Sequence, residues 1–456
     1  MSTRSIWEPK LGRTLTRGDI PESTLRVPIC EMDVVELRSH CRWDMLMALV
    51  RRSCAPLQPR NTQILDDGVF GEWGHKPDDA RLVPGGRYAI SKTDEVIKLW
   101  DLGPIRALQQ EARIQLVDSS EVPEPDQDYF SWISPFSRST TDTFCFTAII
   151  SAENPTVHLY EINQVHGDCK MRILGRLQFP ESENKIVPGD VGMTGDLVHV
   201  HYQGVQYIWD YRHSLITSLS SPDHTSLDKM FIGNGIGVEI NNSAVYGWRV
   251  PSFRPLTPDF ALNGTQEAPP LFELPIPDDA RTGSECHIVA ASSGKGALHI
   301  AFDIARARHT WGGENQRFDI NQLRVVLKAD SNAAPTLLRY SETFDIAKPH
   351  AESKLTYIYN WVAPGAPVWL QDKAWGVESR NQLIYSTAME DENEDAPHSA
   401  WITIPINNAV RNGVVCNLTP PCPISGRMLL VCREPIGWDG TTSYPRAYIL
   451  DFYASG

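Results

Sequence analysis

The chain has 456 residues, a formal net charge of −14, and is 41% hydrophobic and 9% aromatic. Such a composition buries a sizeable core and excludes a disordered chain, whose apolar share is too small to offset the entropy of ordering. The acidic balance, with no Lys/Arg-rich block, excludes the basic face that a nucleic-acid partner needs in order to displace counterions.

Met1 to Ile20 holds no apolar run of the signal-peptide kind. No stretch reaches the roughly 18 apolar residues of a membrane helix. A cytoplasmic or nuclear protein with neither membrane nor nucleic-acid partners is therefore expected. Asp33 precedes apolar residues at Val34, Leu37, Cys41, Met45 and Leu49, which is helical spacing. Asp33 with Glu36 forms a capping box, each side chain satisfying a free backbone N–H. The pattern predicts one amphipathic helix from Val34 to Arg52, with Pro56 and Pro59 blocking its continuation. Residues 1–80 are expected to be a helical and irregular segment.

From Arg81 to the end, residues 81–456, the texture is all-β. Short β-branched and aromatic runs alternate with Gly, Pro, Asn, Asp and Ser clusters. The runs recur as hairpins. Leu82 to Ile90 turns back into Val96 to Trp100, then Asp101. Asp142 to Ile150 precedes Thr156 to Ile162. Leu197 to His201 turns at Gln203-Gly204 into Val205 to Tyr211. Gly237 to Ile240 leads to Ala244 to Val250, and Arg427 to Cys432 to Arg446 to Phe452. Weak hairpin repeats of this kind are the signature of a WD40-like β-propeller, whose blades are small twisted sheets of about 40–45 residues. About seven blades are expected. The Pro-rich stretch from Thr265 to Pro277 reads as a loop, and the acidic run Glu390 to Asp395 as a solvated loop tip.

Six residues are expected to be structural parts of blades: Trp100, Asp101, Trp209, Asp210, Trp248 and Asp451. The tryptophans suit packing between blades, and the aspartates can accept backbone N–H groups at strand ends. Trp438-Asp439 sits among Pro and Gly and reads as loop. His199-x-His201 puts two imidazoles on one strand face, but no third metal ligand can be named. Gly233-Asn234-Gly235-Ile236-Gly237 lacks the spacing and following helix of a dinucleotide loop. Ser293-Gly294-Lys295-Gly296 lacks the upstream glycine and hydroxyl of a phosphate loop. Ser425 has no nucleophile elbow around it. The nine cysteines form no C-x-x-C pair and read as reduced, mostly buried thiols. The sequons at Asn241, Asn263 and Asn417 are expected to be unused in a chain that is not secreted. No catalytic residue, cofactor or metal is expected.

Leu82 to Gly103, with Pro84-Gly85-Gly86-Arg87-Tyr88 leading into Leu99-Trp100-Asp101-Leu102, resembles the first blade of fungal F-box proteins with WD40-like propellers. Pro423-Ile424-Ser425-Gly426-Arg427 followed by Ala447 to Phe452 is similar to their last blade. Ser5-Ile6-Trp7 and Ile29 to Leu37 resemble the segment that follows their F-box. The F-box itself is expected to be missing from this chain. The resemblance implies a non-catalytic platform for protein partners, like the substrate-recognition part of an F-box-type ubiquitin-ligase subunit, with a Skp-type adaptor and a cullin as further partners. A propeller hydrolase with carboxylates in its channel and a structural subunit of a larger complex are the alternatives.

Overall fold

The computed structural model describes residues 4–17, 22–25, 28–41, 61–65, 80–92, 96–103, 114–121, 133–134, 136–139, 143–150, 155–165, 168–180, 191–220, 229–233, 235–240, 244–257, 260 and 270–276. Beyond these it describes the backbone of the strands between 285 and 418, then 422, 424–433 and 445–451.

Two helices open the chain. Helix α1 spans Arg4–Arg17 and was not anticipated from the sequence. Its polar composition and internal Pro9 mask a readable stripe, Trp7, Leu11 and Leu15 at four-residue steps. Helix α2 spans Val34–His40. Asp33 Oδ1 accepts the Glu36 N–H at 2.7 Å, and the Glu36 carboxylate accepts the Asp33 N–H at 3.3 Å, closing the capping box. The part of the expected helix from residue 42 to Arg52 lies outside the described residues.

The remainder is β-structure in antiparallel sheets. Strand β1 (Asn61–Leu65) comes first in the chain but belongs to the last sheet. The first sheet runs β2 (Ala80–Leu82), β3 (Tyr88–Lys92), β4 (Val96–Asp101) and β5 (Gln115–Glu121). The second runs β6 (Ser137–Arg138), β7 (Phe144–Ile150), β8 (Thr156–Val165) and β9 (Asp168–Gln178). The third runs β10 (Val191–Thr194), β11 (Leu197–Tyr202), β12 (Val205–Asp210) and β13 (Leu215–Ser220). The fourth holds β14 (Lys229–Gly233), β15 (Ile236–Ile240), β16 (Ala244–Arg249) and β18 (Phe272–Pro275), while the two-residue β17 (Arg254–Pro255) returns to the third sheet's edge. The fifth holds β19 (Glu285–Gly294), β20 (Ala297–Arg308), β21 (Asn315–Lys328) and β22 (Thr336–Ala347). The sixth holds β23 (Leu355–Ile358), β24 (Val368–Gln371), β25 (Gln382–Thr387) and β26 (Ala400–Pro405). The seventh has the order β1, β29 (Pro445–Asp451), β28 (Arg427–Arg433), β27 (Val414–Leu418). No sheet closes on itself.

One correction concerns the stretch read as loop from Thr265 to Pro277. Within it, Phe272–Pro275 is β18, paired with β16 from Ala244↔Pro275 to Gly247↔Phe272. Pro275 is tolerated because β18 is an edge strand, where one side of the backbone needs no ladder donor. Gly247 allows the pairing, since a Cβ there would overlap the Phe272 ring. The Glu390–Asp395 run and Trp438-Asp439 lie outside the described residues.

The first strands of successive sheets lie side by side, β6 against β10 and β10 against β14, then β14 against β19. They therefore gather at a hub, and the last strands lie toward the rim. Between sheets lie separate cores. Tyr88, Ile90, Ile97 and Leu99 meet Phe136, Phe144, Phe146 and Tyr160 between the first and second sheets. Cys145, Val157 and Leu159 meet Val198, Val200, Tyr207 and Trp209 between the second and third. Ile208 and Leu219 meet Met230, Ile232 and Trp248 between the third and fourth. Alternate residues of one strand thus enter different cores: in β3, Tyr88 and Ile90 face the second sheet and Ala89 the opposite side. Both faces are buried, which is why these strands read as nearly continuous apolar runs. The result is an all-β, propeller-like fold.

Candidate functional site

The sheet register places the expected blade residues at equivalent positions. Trp100 pairs with Ala89, Trp209 with Val198 and Trp248 with Gly237. Each is the next-to-last residue of its sheet's third strand and lies opposite the second residue of the second strand, the pairing that defines the equivalent position. In the second sheet this position holds Glu161, opposite Cys145, and in the seventh Leu450, opposite Met428. Trp100 Nε1 donates to Ser91 Oγ at 2.8 Å. Among the described residues, the buried Nε1 atoms of Trp209 and Trp248 have no hydrogen-bond partner. Trp209 presses on Gly175 of β9, where an added Cβ would come within 3.0 Å of the indole. Trp248 stacks on Tyr246 at 5.5 Å.

One position further, the aspartates end their strands. Asp101 Oδ1 accepts the Gly103 N–H at 2.8 Å, and its other oxygen accepts from the Arg87 guanidinium at 2.7 Å. Asp210 accepts the His213 N–H at 3.1 Å, and its carboxylate lies 2.9 Å from the His213 ring. Asp451 pairs with Arg427 at 2.9 Å, both deeply buried. Burial raises the Asp451 pKa, against the lowering pull of Arg427.

Arg427 marks the joint where the last sheet meets the first. Its guanidinium also donates to Gly103 O at 2.8 Å and Gly86 O at 3.3 Å. Gly86, at φ +73°, lets the 85–86 turn come so close that a Cβ would overlap Ser425 Oγ and lie 2.8 Å from its Cβ. Ser425 is buried, and its Oγ accepts the Arg427 N–H at 3.3 Å, which is a turn's role. The sequence reading quoted Gly86, Arg87 and Arg427 only within the family resemblance and gave them no role. The signal was present: a Gly-Arg pair stands at the start of the second strand, Gly86-Arg87 just before β3 and Gly426-Arg427 with Arg427 as the first residue of β28, and an Asp ends the third strand in each case.

The remaining candidates for chemistry are structural in their surroundings. Gly233↔Ile236 closes the β14–β15 hairpin, with Gly235 at φ +71°. His199 is buried on β11 with its ring against Gly192. Among the described residues, no group of three His, Cys, Asp or Glu is placed to hold a metal ion. Of the described cysteines Cys41, Cys145, Cys169 and Cys422 are buried and Cys30 is exposed, all as free thiols. Burial pushes Cys145 up to about 11 and Cys169 up to about 12, so neither is a thiolate at neutral pH. No helix among the described residues is long and apolar enough to cross a membrane.

Exposed large apolar residues among those described lie on the helices (Ile6 and Val35), beside β18 (Leu271) and on the outer strands of the first two sheets. On the outer strand β5, Leu116 is 50% and Val117 40% exposed, and on the outer strand β9 of the next sheet Ile173 is 44% exposed. The two strands touch: Met171 N–H donates to the Asp118 carboxylate at 2.9 Å. Arg172 beside Ile173 is exposed and pairs with Glu161 at 2.5 Å. A rim of apolar side chains with charged neighbours is the composition of a contact surface.

No protein-family model matches the chain, and no curated protein matches it by sequence. Among solved structures, it is similar to the WD40 domain of SCAP from fission yeast, at 8% identity and TM-score 0.39, covering 83% of this chain and 84% of that one. It is similar to Chaetomium thermophilum Sqt1 bound to the N-terminus of the ribosomal protein L10, at 12% identity and TM-score 0.39, covering 81% and 82%. A third is the alpha-L-arabinanase of Penicillium chrysogenum complexed with arabinobiose, at 7% identity and TM-score 0.30, covering 82% and 92%. Likenesses this loose carry no argument. The class rests on the sheets themselves, small antiparallel sheets with inner strands gathered at a hub and a core between each described pair.

Proposed function

We propose that the chain is a non-catalytic protein-interaction platform built as a seven-bladed WD40-like propeller over residues 81–456. A helical segment over 1–80 precedes it and lends Asn61–Leu65 to the last blade. The supporting observation is that Leu116, Val117 and Ile173 are exposed on two adjoining outer strands. The strongly charged groups beside the described strand ends, Arg87 with Asp101 and Arg427 with Asp451, are engaged in holding turns and sheets together. A rigid ring of this kind positions surface residues for a partner. The sequence resemblance extends the proposal to the substrate-recognition part of an F-box-type ubiquitin-ligase subunit, acting in the cytoplasm or nucleus with a Skp-type adaptor and a cullin.

The test is tagged capture from the native cell type, read by mass spectrometry, with the wild type beside a Leu116→Asp/Ile173→Asp variant. Partners lost with the variant support the platform reading. Skp-type adaptor and cullin among them support the ligase extension, and their absence with other proteins bound overturns that extension. Identical captures from both chains overturn the role of the rim strip.

A further inference from the structure

We infer that the N-terminal helices are a clasp that locks the joint between the first and last sheets. They form part of the closed ring and are not a free docking arm. The inference goes beyond the platform reading and does not depend on the identity of any partner. Leu11 and Leu15 of α1, Leu25, Met32, and Leu37 and Cys41 at α2 enter one buried core. From the first sheet that core receives Leu82, Ala89 and Trp100, and from the last it receives Cys422, Leu429 and Ile449. That core is fed by three separate parts of the chain: the N-terminal helices, the first sheet and the last sheet. Without the helices, apolar side chains of both sheets would face water at the place where the ring's two ends meet.

Polar contacts fix the clasp. Arg4 donates to the backbone oxygens of Met32 at 2.6 Å, Ile29 at 2.8 Å and Cys30 at 2.8 Å, tying α1 to the short turn before α2. These carbonyls end a 3₁₀ turn over Ile29–Glu31, and a cation there satisfies them. Thr24 lies 3.3 Å from where a Cβ of Gly85 would stand. The next residue, Gly86, presses on Ser425 and accepts from Arg427. The N-terminal segment, the first sheet's turn and the last sheet's turn thus stack at one point. A partner that captured the apolar faces of α1 and α2 would have to withdraw them from the joint, so its binding and ring closure would oppose each other.

The test is hydrogen–deuterium exchange by mass spectrometry on the full chain, comparing wild type, Leu37→Asp and Arg4→Ala. Arg4 is only part-buried, so Arg4→Ala keeps the fold if Leu37→Asp does not. Loss of its charge-assisted bonds is expected to speed exchange about tenfold in β2, β3, β28 and β29 and to leave β11 and β12 unchanged. Unaltered exchange at the joint, or an equal rise in β11 and β12, overturns the clasp.

Discussion

Replacing Arg427 with Met tests how the first and last sheets are held together. The substitution keeps an unbranched apolar stem and removes three contacts: the ion pair to Asp451 at 2.9 Å and the bonds to Gly103 O at 2.8 Å and Gly86 O at 3.3 Å. Asp451 is left buried without its counter-charge, and two carbonyls lose a donor. Breaking a buried pair from one side costs about 3–5 kcal/mol, mostly from the stranded charge. The pair itself is worth less than that, so Arg427→Met/Asp451→Leu should recover much of the loss. The sign with pH follows from the raised Asp451 pKa. Raised by folding, it makes the folded chain bind more protons than the unfolded one, so this group's contribution is favourable at low pH and is lost as pH rises through the folded value. Without Arg427 that pKa rises further, and the damage should be smaller at pH 5 than at pH 7.5. Urea unfolding of the two variants and wild type at both pH values measures this. A loss under about 1 kcal/mol for Arg427→Met, or a loss that does not change with pH, would refute the reasoning.

Gly86→Ala at the same joint should cost about 2–5 kcal/mol, from a left-handed backbone and overlap with Ser425, with Ser425→Gly giving partial rescue in thermal melts. Gly175→Leu should loosen the contact between the second and third sheets by about 1–3 kcal/mol and shift Trp209 fluorescence, since the side chain must displace the indole. His158 is pushed down to about 4, first by burial and then by Arg176. The unfolded chain therefore binds the extra proton below about pH 6.5, and this share of stability is complete above that value and falls toward pH 4. Between pH 7 and 5 the loss should reach about 1 kcal/mol after solvent screening, and His158→Leu should flatten it in urea midpoints. Asp33→Ala should cost about 1 kcal/mol by removing one arm of the capping box, and Asp33→Asn should cost less; equal losses in chemical denaturation would argue against the box.

Local patterns made the hairpins legible. Val205 to Asp210 and Thr156 to Ile162 are apolar and β-branched enough to read as strands, and the turn at Gln203-Gly204 shows in the sequence, with both residues at positive φ. The start of α2 was legible because capping chemistry is contained within four residues. Helix α1 was missed because its stabilisation comes from Leu11 and Leu15 packing on distant sheets, which no local propensity reports. Strand β18 was missed because Pro275 and its neighbours suit a loop as well as an edge.

The sequence by itself determined the inner hairpins of five sheets and their turns, because period, turn residues and capping act over a few positions. It also marked Trp100, Asp101, Trp209, Asp210, Trp248 and Asp451 without saying what each touches. Only the tertiary structure decided that Arg427 reaches Gly86 and Gly103 across more than three hundred residues, that Asn61–Leu65 completes the last sheet, and that the first helices cover the same joint. Those contacts join chain ends, and their partners are chosen by where the sheets come to rest, which no short stretch of sequence encodes.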